Sequence, residues 1–206
     1  MEESGLTLTW IWEHLQALLI ALLTIAMPLF LLWYTRYLQK KDKTPHSVGK
    51  AVEKNRRLES ICEEIMTKLG AQRVTVWLFH NGGYYYTGEP IQKLSIICEK
   101  NEEHAVPIIH IFQNQPISIF QRNLEKLTSN DFSYEYNNFQ YKDSLAVLDT
   151  LYGIASSALF KLKNKESYFS GILSIGYSTH HTVTNGEIET VKELVKQIEI
   201  ELINKK

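Results

Sequence analysis

Ser170–Leu202 reads SGILSIGYSTHHTVTNGEIETVKELVKQIEIEL, and this stretch decides the fold. Its first part belongs to a run from Tyr168 to Tyr177 whose small, β-branched and aromatic residues predict a strand. A polar loop follows. Thr184 with Glu187 three residues on has the spacing of a capping box, in which hydroxyl and carboxylate each take a backbone N–H left free at a helix start. Ile188, Val191, Leu194, Val195, Ile198 and Leu202 then recur at helical spacing and lay one apolar stripe along the closing helix. A strand that feeds such a helix needs a sheet to receive the stripe.

Working outward, Ile154–Leu162 reads as a second strand, joined to the first through the polar turn KNKES. Nearer the start, Leu58, Ile61, Cys62, Ile65, Met66 and Leu69 form another helical stripe, ending at Gly70, which suits a left-handed cap. Arg73–Phe79 (RVTVWLF) follows, apolar on both faces and therefore covered on both sides. His80–Pro90 (HNGGYYYTGEP) is expected to interrupt it as a long irregular loop, with Gln92–Glu99 (QKLSIICE) as the antiparallel partner. The middle predicts a helix over Ile117–Leu127, a polar, aromatic-rich connector from Asn130 to Asp143, and a short helix over Ser144–Leu151. The order is helix, two strands, mixed middle, two strands, helix.

The N-terminus is different in kind. Ala17–Tyr34 (ALLIALLTIAMPLFLLWY) carries no charge, and at ~1.5 Å per residue about 20 residues cross a hydrocarbon core of roughly 30 Å. Trp10 and Trp12 on one side, with Trp33, Tyr34 and Tyr37 on the other, are the rings expected at headgroup level. The leader holds Glu2, Glu3 and Glu13 and no basic residue, which argues against a cleaved signal peptide. Arg36, Lys40, Lys41 and Lys43 all follow the span, which predicts a cytoplasmic C-terminal domain and a single pass through an inner or plasma membrane. The expected organisation is an interfacial segment at 1–14, a transmembrane helix at 15–38, a linker at 39–47 around Pro45, and one soluble domain at 48–206.

Composition narrows the function. The formal net charge of the 206 residues is −1, so no broad basic field exists to hold a nucleic-acid backbone. Two cysteines, Cys62 and Cys98, are too few for the disulfide framework of a small secreted domain, though they can pair in an oxidising compartment. The sequence has no serine-nucleophile elbow, no phosphate-binding loop and no zinc-protease motif, so an enzyme is not expected.

Two segments carry a family resemblance. RLESICEEIMTKLGAQRVTVWLFHNGG (57–83) resembles the first helix and strand of GAF domains, and 170–202 is similar to their closing strand and helix. The resemblance implies an α+β domain of the GAF/PAS-like kind: an antiparallel sheet, the first and last helices packed on one face, and a ligand pocket under the middle segment on the other. The cyclic-nucleotide signature of that family is absent, and neither cysteine stands in a chromophore-attachment context, so the ligand and any cofactor stay open. In layout the chain also resembles the holins of T-even-like bacteriophages, which join one span to a GAF/PAS-like domain. That resemblance implies a lysis protein oligomerising in the inner membrane, with its soluble domain on the periplasmic side, against the charge asymmetry.

His80, Asn81, Tyr84 and Tyr86 are the candidate ligand-binding residues: two glycines permit unusual backbone, and the rings and polar tips suit a pocket rim. The plainer reading is a glycine-bearing turn whose tyrosines pack on the domain. His180 and His181 have no thiol or carboxylate at a ligand interval, so no metal site is expected. Trp10, Trp12, Trp33, Tyr34, Arg36, Lys40 and Lys41 are the candidate bilayer anchors. Val48, Val52, Leu58, Ile61, Ile65 and Met66 read either as core or, over 48–70, as a homodimer seam. The expected function is a membrane-anchored, non-catalytic sensing or protein-docking module, with the holin-like lysis protein as the alternative.

Overall fold

The computed structural model describes residues 3–42, 48–85, 87–136 and 150–203. The chain divides into two units, Met1–Val48 and Gly49–Lys206.

The first unit is one helix, α1 (Glu3–Asp42), 40 residues long with Pro28 inside it, or about 60 Å at the usual rise. It runs unbroken through the expected interfacial segment, the span and the first residues of the linker. Leu15, Leu18, Ile20, Leu22, Ile25, Met27, Leu29, Phe30, Leu31 and Leu32 are all exposed, so apolar side chains stand on every face. Among the described residues no helix is long and apolar enough to cross a membrane; the side chains at 19, 21 and 23, inside the uncharged stretch, are outside the description.

The second unit is built on six antiparallel strands in the order β3-β2-β1-β6-β5-β4: β1 (Arg73–Tyr84), β2 (Pro90–Asn101), β3 (Gln115–Pro116), β4 (Phe132–Tyr136), β5 (Ser156–Lys163) and β6 (Phe169–Tyr177). Strands β1 and β6 lie in the middle, where Trp77 pairs with Ile172 and Leu78 with Gly171. At Gly171 the strands approach so closely that a Cβ would lie 2.2 Å from the Trp77 carbonyl oxygen, so only glycine fits.

Because successive strand residues point to opposite faces, the sheet supports two cores. On one face α2 (Val48–Leu69) and α4 (Asn185–Ile203) press Leu58, Cys62, Ile65, Val191, Leu194, Val195 and Ile198 onto Val74, Val76, Cys98, Phe160, Leu173 and Ile175. This is the expected pairing of first and last helices. Gly70 closes α2 at φ +59°, the left-handed cap its position predicts. Thr184 starts α4 as expected: its N–H and Oγ1 both donate to Glu187, at 2.7 and 2.8 Å, and its Oγ1 accepts from the Glu187 N–H at 3.3 Å.

The opposite face carries Trp77, Leu94, Ile96, Leu159 and Ile172, covered by Ile108, Phe112, Phe120 and Leu127. The cover is the 102–116 segment, a 3-10 turn (Ile117–Phe120) and α3 (Gln121–Ser129).

Three expectations change. The strand does not stop at Phe79. It runs through Tyr84, with His80 opposite Lys93 and Asn81 opposite Gln92, and the connection shrinks to 85–89, closed by Tyr85 N–H to the Glu89 carbonyl at 2.8 Å. The ladder shifts register at Gly82–Gly83, between the Asn81–Gln92 and Tyr84–Pro90 pairs, and Gly82 leaves room for the Lys93 stem, whose Cδ would lie 2.6 Å from a Cβ there. Part of the predicted connector is β4, whose Phe132 and Tyr134 face the helix-side core; aromatic residues at every second position supply what an edge strand needs. The predicted helix at 117–127 begins as the 3-10 turn and ends at Ser129. Of the predicted helix at 144–151, only Thr150 and Leu151 are within the described residues, and both are helical.

Candidate functional site

The second core holds a small, partly open cavity lined by Trp77, Leu94, Phe120, Asn123, Leu159, Ile172 and Ser174. It measures about 20 Å³ as the space open to the centre of a water-sized sphere, room for about one water. The Trp77 ring forms one wall. Its Nε1–H donates to Thr75 Oγ1 at 2.7 Å, and the Phe112 and Phe120 rings meet it edge-on at 5.5 and 5.3 Å.

Two polar side chains, Asn123 and Ser174, reach the wall. Asn123 on α3 is 2% exposed, and its Oδ1 has no hydrogen-bond partner. Left without a donor, a buried carbonyl oxygen costs about 1–3 kcal/mol. In sequence Asn123 sits between Phe120 and Leu127 at helical spacing, on the stripe that faces the sheet. That is the signal by which it was readable, a polar letter on an apolar stripe.

The cover over the cavity is fastened at two points. At one end the Glu99 carboxylate accepts from Ile108 N–H at 3.0 Å, Ile109 N–H at 2.7 Å and the Asn101 amide at 2.9 Å. Arg73 lies 3.5 Å from the same carboxylate, both side chains at most 5% exposed, and donates to the Val106 carbonyl at 2.6 Å while lying over the Tyr152 ring. At the other end Ser95 Oγ accepts from Asn114 N–H at 2.7 Å, and the Gln113 amide donates to the Ile96 and Ile109 carbonyls at 2.8 and 2.6 Å. These bonds set Ile108 and Phe112 into the core.

The residues singled out in the sequence lie elsewhere. His80 reaches Ser95 Oγ at 2.9 Å, Asn81 Oδ1 accepts from Gln92 at 3.0 Å, and Tyr84 is 73% exposed near the hairpin tip; none of the three lines the cavity. Tyr86 lies outside the described residues. His181 stacks on Tyr177 and reaches Glu187 at 3.1 Å. The Tyr177 hydroxyl is buried without a partner, and burial pushes its pKa up. Among the described residues no group of three His, Cys, Asp or Glu is placed to hold a metal ion. On α1, Trp10, Trp12, Trp33, Tyr34 and Arg36 are exposed, Trp33 stacked on Tyr37 at 5.7 Å. Lys40 and Lys41 belong to the helix, but their side chains are outside the description.

No family model matches the sequence, and no curated relative matches it. Solved structures do match the fold. A phycocyanobilin-bound GAF domain from a cyanobacterial phytochrome superposes with a TM-score of 0.58 at 18% identity, covering 75% of this chain and 87% of that one. A far-red cyanobacteriochrome photoreceptor gives 0.57 at 12% identity, over 83% and 96%. The GAF domain region of a Geobacter sulfurreducens PCA protein, provisionally described as a membrane protein, gives 0.55 at 16% identity, over 75% and 96%. The second unit, Gly49–Lys206, therefore has a GAF-like fold.

A bilin of the kind bound by the first of these does not fit this cavity as the described residues form it. The cavity takes about one water, and Cys62 and Cys98 both lie in the core on the opposite face of the sheet, so no thiol stands beside the cavity for covalent attachment.

Proposed function

We propose that this chain is a single-pass membrane protein whose GAF-like domain senses a small molecule and performs no catalysis. The sensing half rests on one observation: an orphaned Asn123 carbonyl at the wall of a largely apolar cavity. Such a lining selects a small, largely apolar ligand carrying one hydrogen-bond donor. Because the cavity is nearly filled by Trp77 and Phe120, binding displaces the cover, and movement of the 102–116 segment is the signal. The fastening at Glu99 sets how much binding energy that movement takes.

The anchor rests on α1, whose uncharged stretch is apolar all round; such helices belong in a core or a bilayer. The basic residues after it favour a cytoplasmic domain, and the exposed Val48 and Val52 at the start of α2 suit self-association along 48–70.

A phenol and indole series added to the full-length protein in detergent tests the sensing reading. A rise in Tm with those compounds that is absent from Asn123→Leu supports it; no shift with any of them at millimolar concentration contradicts it. Alkaline phosphatase fused to the C-terminus tests orientation. An inactive fusion supports the cytoplasmic placement, whereas an active one, together with lysis on expression, supports the holin-like alternative.

A further inference from the structure

The helix-side core places the two cysteines of the chain against each other. Cys62 on α2 is 0% exposed and Cys98 on β2 is 4% exposed; both are free, with their sulfurs 3.8 Å apart. We propose that Cys62 and Cys98 form a redox-active pair which peroxide closes to an intrachain disulfide, fastening α2 to the sheet.

Geometry carries the proposal. A disulfide needs its sulfurs at about 2.05 Å, so each sulfur here has less than about 1 Å to move, within reach of small χ1 adjustments. The partners come from different elements 36 residues apart, so the bond would tie the helix to the sheet rather than close a local turn. They also lie near an edge of the core: Glu63, next to Cys62, bridges to Lys100, two residues beyond Cys98, at 3.1 Å, with side chains 58% and 34% exposed. Opening that exposed pair, a weak interaction in water, is the shortest route for a water-sized oxidant.

The chemistry balances without a cofactor. The Cys98 thiolate attacks one peroxide oxygen, the O–O bond breaks, and a sulfenic acid forms with loss of hydroxide. The Cys62 sulfur then attacks Cys98, the S–O bond breaks, and water leaves. In sum, two thiols and one hydrogen peroxide give one disulfide and two waters, with two electrons passing from sulfur to oxygen. The hydrogen bond with Cys62 lowers the pKa of Cys98, favouring it as the attacking thiolate; the same bond, together with burial, pushes Cys62 up. In a reducing compartment the pair is a switch, and in an oxidising one a permanent staple.

The test uses the full-length chain in detergent, reduced, then exposed to hydrogen peroxide, denatured and alkylated with maleimide. The expected result is loss of both adducts together, a mass lower by two hydrogens than that of the reduced chain, and a linked peptide pair containing residues 62 and 98. Tm rises by about 10 °C, as closure of a 37-residue loop implies, and dithiothreitol reverses all of it. Cys98→Ala, with no partner for Cys62, is expected to show no linked pair and no gain in Tm. Retention of both adducts, bridges only between chains, or a disulfide that leaves Tm unchanged each overturns the proposal.

Discussion

Replacing Asn123 by leucine separates a residue kept for a ligand from one kept for the fold. The side chain is 2% exposed and its Oδ1 has no donor, so the native protein carries a desolvation penalty of about 1–3 kcal/mol. Leucine keeps asparagine's branched four-atom side-chain shape, extends its bulkier methyl groups into the cavity against Trp77, Phe120 and Leu159, and gains a few tenths of a kcal/mol in helix propensity within α3. The sum is a variant more stable by about 1–3 kcal/mol. For a domain of this size each kcal/mol is worth about 2–4 °C, so Tm rises by roughly 2–12 °C. Thermal and urea denaturation followed by circular dichroism read the change, with an unaltered urea slope as the sign that only native-state stability moved. A loss of more than about 1 kcal/mol would refute the reasoning, since it would mean that the amide is paired in the native protein.

Glu99→Ala removes the acceptor of two backbone N–H groups and leaves Arg73 buried beside it; the expected cost is about 3–5 kcal/mol, with faster proteolytic cleavage confined at first to the 102–113 segment. Gly171→Ala drives a methyl into the Trp77 carbonyl and is expected to cost about 3 kcal/mol or more, read as a fall in Tm. Thr184→Ala removes the cap of α4 and is expected to cost about 1 kcal/mol by urea denaturation. It also alters the acid limb. Burial opposes ionisation of Glu187, but the Thr184 N–H and hydroxyl, with His181, hold its pKa below the ordinary 4.5. A depressed carboxylate contributes stability that is complete above that ordinary value and is lost as pH falls below it. Thr184→Ala should therefore flatten the stability loss below pH 4.5, seen by comparing urea midpoints across that range.

The elements legible in the sequence were those with strong periodicity. The helical stripes of α2 and α4, the two-faced apolar run of β1, the capping box and the KNKES turn each depend on neighbours within a few residues, and each appears where the letters put it. The misread regions depend on partners distant in sequence. HNGGY is strand because β2 lies alongside it and the Lys93 stem crosses Gly82, neither of which local glycine chemistry reveals. Strand β4 hid in a tyrosine-rich segment whose polarity outweighed its period of two. The cavity was not legible for the same reason: it is assembled from β1, β2, β5, β6, the 3-10 turn and α3, whereas the unusual His-Asn-Gly-Gly-Tyr letters stand on the β1–β2 hairpin. Of the cavity's polar groups, Asn123 was visible only as a lone asparagine between Phe120 and Leu127.

The proposal rests on attachment to lipid, and flotation of the full-length chain tests it most directly. Membranes from cells expressing it, washed in alkaline carbonate and floated through a density gradient, are expected to carry the chain with the lipid fraction, while a chain beginning at Val48 stays at the bottom. Full-length chain released by the carbonate wash, or sedimenting away from lipid, would contradict the account.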